Sequence, residues 1–186
     1  MTEETLRPVP FWYLRHGETD WNAKDLSQGR VEVPLNANGI AQARQAAALL
    51  VGRGIASIVC SPLGRAQETA RIVAEALALP IETEQDLQEV SFGEQEGLPM
   101  GDWYDDWIAG DMTPPGAEPF AALRARAVAA INRAQTRTAP VLVVAHGAFF
   151  RAVRSAMGLV PNIRTPNGVP LYCVPGTPWV LEEAQP

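Results

Sequence analysis

Two histidines, His16 and His146, are the only ones among 186 residues, and both sit in the same local setting. Each ends an apolar run and is followed by glycine: FWYLRHG at 11–17 and VLVVAHG at 141–147. Arg15 precedes the first histidine. A third apolar run, ASIVCSP at 56–62, ends in Ser61-Pro62, with Arg65 about one helical turn further on. If these run ends converge, one pocket holds two guanidinium groups and two imidazoles. That set suits an anion with several oxygens, phosphate before carboxylate, because the guanidinium fork pairs with phosphate bidentately. Gly17 and Gly147 stand where a side chain would obstruct a ligand or strain a turn. Taken singly, each piece has a plainer reading. A strand-end histidine can be a hydrogen-bonded structural residue, Arg65 a surface charge, and Arg15 a partner for Glu18. The repeated strand–His–Gly setting is what argues against those readings together.

The elements that must position these residues follow from periodicity. Residues 9–15, 56–62 and 139–147 read as short buried strands, and 81–83 and the tail segments 169–174 and 178–183 as further strands. Helical patterns occupy 39–54, 63–79, 120–137 and the stretch after Gly147. Ser61-Pro62 reads as an N-cap with proline at the first helical position. Residues 16–38 lack periodicity and form a long loop, which inside a compact domain is usually functional. Strands alternating with helices imply βαβ units and a mostly parallel sheet, with ligands bound beyond the carboxyl ends of the strands. Both histidines, Ser61 and Arg65 fall at such ends. No repeat or linker divides the chain, so a single domain over 1–186 is expected, with residues 1–8 as a flexible N-terminus.

A net charge of −6 with 47% hydrophobic residues describes a folded protein without the basic face of a nucleic-acid binder. Overall acidity does not exclude a small anionic ligand, since a few arginines dominate a local pocket. Cys60 and Cys173 lie in apolar stretches and read as buried thiols of a reducing compartment. With the two histidines they form no zinc spacing. The N-terminal MTEETLRPVP lacks the basic residues and apolar core of a signal peptide, and no apolar run reaches bilayer length. A cytoplasmic protein without membrane contact is expected.

LRHGETDWN (14–22) resembles the signature of the histidine phosphatase superfamily, the branch of cofactor-dependent phosphoglycerate mutases and related phosphatases. QGRVEVPLNANGIAQA (28–43), SPLGRAQETA (61–70), QEVSFGEQEG (88–97), PPGAEPF (114–120) and VVAHG (143–147) follow in the family's order and cover nearly the whole chain. The resemblance implies a phosphoglycerate mutase-like, three-layer α/β/α sandwich and phosphoryl transfer through a phosphohistidine, without metal or other cofactor. His16 would be the nucleophile. Arg15, Arg65 and His146 would hold the phosphoryl oxygens, with Asn22 and the N–H of Gly147 or its neighbour as further donors. Glu89 would be the general acid, buried beside Val90, Phe92 and the bound phosphate. Its plainer alternative is a solvated loop carboxylate.

Three positions depart from the family pattern: Glu32 where aspartate is frequent, Ala148 in place of a second glycine, and Pro119 in place of serine. Residues 98–118 read as a lid, with Trp103, Tyr104 and Trp107 suited to an apolar or sugar-like leaving group. Asp102, Asp105, Asp106 and Asp111 would repel a second anionic group unless they face solvent. A phosphomonoesterase acting on a small phosphorylated metabolite is therefore expected ahead of a mutase, and both ahead of a catalytically silent phosphate-binding module. Substrate identity and oligomeric state are not legible.

Overall fold

The apolar runs become the middle of one sheet. In the computed structural model, which describes residues 4–186, FWYLR forms β1 (Phe11–Arg15), SIVC forms β2 (Ser57–Cys60) and IET forms β3 (Ile81–Thr83). VLVVA forms β4 (Val141–Ala145), and the tail supplies β5 (Pro170–Val174) and β6 (Val180–Glu183). Their order is β3-β2-β4-β1-β5-β6. The first four are parallel; β5 is antiparallel to β1, and β6 to β5. Every residue of β1 and β4 is buried, as strands covered on both faces require.

Alternation along the strands divides the core in two. Phe11, Tyr13 and Val143 pack with α5 (Phe120–Ala134) and α6 (Gly147–Ala156). Trp12, Leu14, Leu142 and Val144 pack with α2 (Ala37–Leu50) and α3 (Gly64–Leu77) on the opposite face. The fold is the expected three-layer α/β/α sandwich, and the carboxyl ends of β1, β2 and β4 meet at one edge.

Several boundaries differ from the sequence pattern for identifiable reasons. α2 starts two residues early because Asn36 caps it, Oδ1 accepting Gly39 N–H at 2.8 Å. It stops at Leu50 rather than reaching Gly54. Ser61-Pro62 does not cap α3: its N-cap is Leu63, which offers no side-chain acceptor. The Glu32 carboxylate takes that role from the facing loop, accepting Gly64 N–H at 3.0 and 3.3 Å. α3 ends at Leu77, where Ala78 turns left-handed at φ 54° ahead of Pro80. The long loop contains one short helix, α1 (Asp20–Ala23), closed by a Thr19–Asn22 capping box.

Parts of the segments expected as a flexible N-terminus (1–8) and as a lid (98–118) are hydrogen-bonded to the rest of the fold. Residues 1–3 lie outside the described residues, but Leu6 is buried, and Asn132 of α5 accepts Arg7 N–H at 2.9 Å and donates to Thr5 O at 2.9 Å. Within 98–118, α4 (Trp103–Ala109) is anchored by the fully buried Trp107, whose Nε1–H donates to Glu118 O at 2.9 Å. Met100 N–H donates to Asp25 O and Ser27 N–H to Leu98 O, both at 2.9 Å. Cys60 and Cys173 are buried free thiols, and burial pushes both upward in pKa. Among the described residues, no helix is long and apolar enough to cross a membrane.

Candidate active site

His16 follows the last residue of β1, and its backbone N–H continues the ladder to Ala145 O at 3.0 Å. Its Nδ1 lies 2.7 Å from Gly17 O. A carbonyl only accepts, so Nδ1 carries the proton and Nε2 presents a lone pair. That lone pair accepts Arg65 Nε–H at 3.2 Å. Burial, then the charges of Arg65 and Arg15, hold the His16 imidazole well below its usual pKa and therefore neutral at neutral pH. Gly17 is required by the fold: a Cβ there would lie 2.3 Å from Gly39 O at the start of α2.

His146 ends β4 and is the N-cap residue of α6. Its ring centre stands 5.2 Å from that of His16. The Tyr13 hydroxyl holds its backbone, donating to His146 O at 2.8 Å and accepting His146 N–H at 3.1 Å. Ser61 Oγ accepts Leu63 N–H at 3.2 Å and lies 2.6 Å from His146 Nε2. The Ser61 hydroxyl proton needs an acceptor, and His146 Nε2 is the one it meets among the described residues; donation there assigns the neutral ring's hydrogen to Nδ1. Nδ1 is buried and has no protein partner. Burial, Arg65, His16 and Arg15 again favour the uncharged ring. Ser61, expected as a helix cap, is thus a positioning residue for His146.

Arg15 crosses from β1 over Gly147. A Cβ on Gly147 would meet Arg15 Nε at 2.9 Å and Cζ at 3.0 Å, so the glycine makes room for the guanidinium rather than directly for a ligand. Nη1 donates to Thr165 O at 2.6 Å, while Nε is buried without a partner. No Arg15–Glu18 pair forms; Glu18 instead accepts Asn36 and Asn38 Nδ2 and ties the loop to α2. Arg65 is almost fully buried, with Nη1 to Val31 O at 2.8 Å and Nη2 to Gly29 O at 2.6 Å. Arg65 and His146 stand behind and beside His16 and do not line the open cavity, whereas Arg15 and His16 do.

Glu89 is buried, as expected, but its carboxylate has an unforeseen setting. It accepts N–H groups from Ala148 at 3.0 Å, Phe149 at 2.8 Å and its own neighbour Val90 at 3.0 Å. It therefore caps the first turn of α6, whose N-cap His146 offers no side-chain acceptor. Ala148 N–H, the neighbour considered as a phosphate donor, is taken by Glu89, while Gly147 lines the recess. Two arginines fix the backbone around Glu89. Arg126 Nη1 donates to Asp86 O and Gln88 O at 2.7 and 2.8 Å while its other nitrogens clasp the Glu118 carboxylate. Arg30 Nε donates to Glu89 O at 3.2 Å.

Asn22 reaches the cavity wall, as expected. Its Oδ1 is occupied by Thr19 N–H and Asn167 Nδ2, both at 3.2 Å, leaving its own amide N–H free for a ligand. Asn167 also donates to His16 O at 2.9 Å, and Gly168 N–H to Arg15 O at 3.0 Å. The recess at His16 encloses about 60 Å³ and adjoins a second cavity of about 180 Å³ lined by Arg15, Arg151 and Arg164. Of the three aromatics on α4, only Tyr104 lines this space. Trp107 is core, and Trp103 packs edge-on against Phe92 at 5.5 Å. Asp102, Asp105, Asp106 and Asp111 are all exposed, so the expected repulsion of a second anion does not arise.

Sequence periodicity alone missed Ser61's partner, Asn167, Arg151 and Arg164. Arg151 was legible in principle: it lies four residues after Gly147, on the same face of α6. Arg164 and Asn167 sit in an irregular segment that carries no periodic signal. Among the described residues, no three His, Cys, Asp or Glu side chains cluster in a way that could hold a metal ion.

Two histidines beyond strand ends, an acid clasped by backbone amides and two buried arginines thus meet at one edge of the α/β/α sandwich. Residues 11–167 match the histidine phosphatase superfamily (branch 1), and the chain belongs to that family. It is 38% identical over 143 residues to Uncharacterized phosphatase PhoE of Bacillus subtilis, covering 75% of this chain and 72% of that one. Probable phosphoglycerate mutase GpmB of Yersinia pestis is 42% identical over 89 residues, covering 48% of this chain and 41% of that one. The solved mycobacterial glucosyl-3-phosphoglycerate phosphatase, a complex with VO3, superposes with a TM-score of 0.82 at 25% identity, covering 93% of this chain and 97% of the other.

Proposed function

We propose that the protein is a metal-independent phosphomonoesterase that works through a phosphohistidine on a small phosphorylated metabolite. One observation carries this reading most directly. Arg15 Nε and His146 Nδ1 are buried nitrogens without protein partners, beside a His16 whose Nδ1 proton leaves the Nε2 lone pair to accept from Arg65. Buried unpaired N–H groups are costly, and a phosphoryl group at His16 would satisfy both. Membership of the family and the phosphatase-named relatives support the same reading.

In the first step the His16 Nε2 lone pair attacks phosphorus. The bond to the ester oxygen breaks, its electron pair stays on that oxygen, and Glu89 in its acid form supplies the proton. Arg15, Arg65, His146, Asn22 and Gly147 N–H share the charge on the equatorial oxygens. Water then attacks phosphorus, Glu89 carboxylate takes a water proton, and the P–N bond returns its pair to Nε2. The neutral state of His16 suits attack without prior deprotonation. Two buried thiols and the absence of a basic face fit a cytoplasmic enzyme of small metabolites.

Rapid alkaline quenching with a radiolabelled aryl phosphate, in the presence of a chelator, tests the mechanism. An acid-labile, base-stable adduct on His16 is expected; labelling of serine or cysteine, or loss of turnover on chelation, would falsify it. A mutase is the second reading, favoured by the Yersinia relative's name and by the arginines of the outer cavity. Against it, the rim residues Arg164 and Asp25 are 56% and 69% exposed, which lets water reach the phosphoenzyme. Isomerisation of a phosphoglycerate with little phosphate release would reverse the preference.

A further inference from the structure

Glu89 has to be held without help from regular structure, since residues 88–92 belong to no helix or strand. Carbonyls of this stretch and of the turn before it are gripped instead. Asp86 O and Gln88 O accept Arg126 Nη1–H at 2.7 and 2.8 Å, and Glu89 O accepts Arg30 Nε–H at 3.2 Å. Ser91 O accepts Glu118 N–H at 2.8 Å. Glu118 stands behind all four. Its Oε1 accepts Arg126 Nε–H at 2.9 Å, its Oε2 accepts Arg126 Nη2–H at 2.8 Å, and Arg30 Nη2 lies 3.8 Å from Oε2. Its own carbonyl is fixed by the Trp107 indole N–H at 2.9 Å. The Glu118 and Arg126 side chains are only 15% and 14% exposed, so salt screens the pair less than it would a surface pair. A guanidinium fork on a carboxylate at one side and two carbonyls at the other has its plane fixed. Arg126 also reaches the far side of the acid. Its Cζ lies 5.9 Å from the centre of the Phe149 ring, and Phe149 N–H is one of the donors to Glu89.

We propose that Glu118 is a positioning residue for the acid: through Arg126 and Arg30 it sets where the Glu89 carboxylate stands, and so governs protonation of the leaving oxygen without touching substrate. The proposal rests on the phosphatase reading with Glu89 as its acid. Glu118 lines neither the recess nor the outer cavity, so it has no direct hold on a phosphate. Glu89 does line the recess, while its oxygens already accept three amide N–H groups. An acid must come within hydrogen-bond reach of the oxygen it protonates. Without the Glu118 carboxylate, Arg126 loses half its partners and the carbonyls on either side of Leu87 lose their fixed donor. The resulting shift in Glu89 falls on the step that needs the proton, not on phosphate binding.

The test compares kcat/KM for propyl phosphate and p-nitrophenyl phosphate. That parameter reports the steps up to departure of the alcohol, so later hydrolysis of the phosphoenzyme does not enter. Glu118→Gln should lower the propyl ester about tenfold or more, the cost of misplacing a group from a distance, and the nitrophenyl ester about threefold at most, since nitrophenolate leaves with little protonation. In a Glu89→Gln background the same substitution should cost the propyl ester nothing further. Arg126→Lys should resemble Glu118→Gln, because an ammonium cannot serve a carboxylate and two carbonyls in one plane. Arg30→Gln, at a side chain 39% exposed, should show the same selectivity at smaller size. Equal losses on both esters in Glu118→Gln overturn the proposal, as do losses that add in the double variant. Where the Glu118 and Arg126 variants do not fold, equal losses in Arg30→Gln overturn it instead. Wild-type protein inert toward both esters would sink the phosphatase reading itself. A selective loss in Glu89→Gln without one in Glu118→Gln sinks only the positioning role.

Discussion

The recess at His16 and the cavity outside it are made of different material. In and directly behind the recess, Arg15, His16, Arg65, Glu89 and His146 are all at least nine-tenths buried, and each is held by a bond to or from the backbone. Outside, Arg164 and Asp25 stand largely in solvent on irregular segments, held mainly by each other. Donors that must match a transition state work best when they need no reorganisation. A surface that selects among leaving groups can be looser, and loops supply it at little cost to the core. On the proposed function, the contrast separates a chemical half, common to any phosphomonoester, from a selective half.

The strongest way to break that division is at its centre. His16→Ala should lower kcat for every ester by about 10⁴-fold or more, because no other group in the recess replaces the nucleophile. Turnover retained in that variant would point to a different attacking group. Glu89→Gln keeps an oxygen for the α6 amides but cannot carry the proton. Alkyl esters should lose about 10²–10⁴-fold in kcat, and p-nitrophenyl phosphate much less because its leaving group needs little protonation. Equal losses on both would remove Glu89 from the acid role.

A smaller perturbation comes from Gly147→Ala, whose methyl would press on the Arg15 guanidinium. Displacing that group by a fraction of an ångström should cost about 10- to 100-fold in kcat/KM for all esters alike. A loss that differs strongly from one ester to another would show that recess and outer cavity are not separable. The smallest effect is one of protonation. His16 and His146 have pKa values below the ordinary 6.5, so the unfolded chain takes up protons first as pH falls. Their contribution to stability is complete above about 6.5 and is lost as pH falls through the folded values. Proton NMR should find both imidazoles in the neutral form at pH 6; a charged ring there would contradict the buried, arginine-flanked setting.

Much of this was legible in the residues themselves. Short continuous apolar runs marked β1, β2 and β4, and the His-Gly endings pointed to one edge of the sheet. Glu89 came from the family resemblance rather than from spacing, since its environment depends on a segment without periodicity. What escaped were contacts across large separations. Ser61 looked like a cap because Ser-Pro before a helix usually is one, yet His146, 85 residues away, holds the hydroxyl. Trp103, Tyr104 and Trp107 formed a plausible lid by composition, but α4 turns Trp107 into the core and leaves only Tyr104 at the cavity. Charge counting along 102–111 likewise said nothing about direction, and all four carboxylates point to solvent.

The 3.2 Å bond from Arg65 Nε to His16 Nε2 has an implication for inhibitors. On the proposed mechanism the lone pair that attacks is engaged by a guanidinium, itself held by the Gly29 and Val31 carbonyls. A neutral electrophile brings nothing to draw Arg65 aside and meets a nitrogen already engaged. An oxyanion offers the guanidinium a better acceptor and uncovers the lone pair as it docks. Compounds built around a tetrahedral or trigonal-bipyramidal oxyanion thus carry their own key, while alkylating warheads do not.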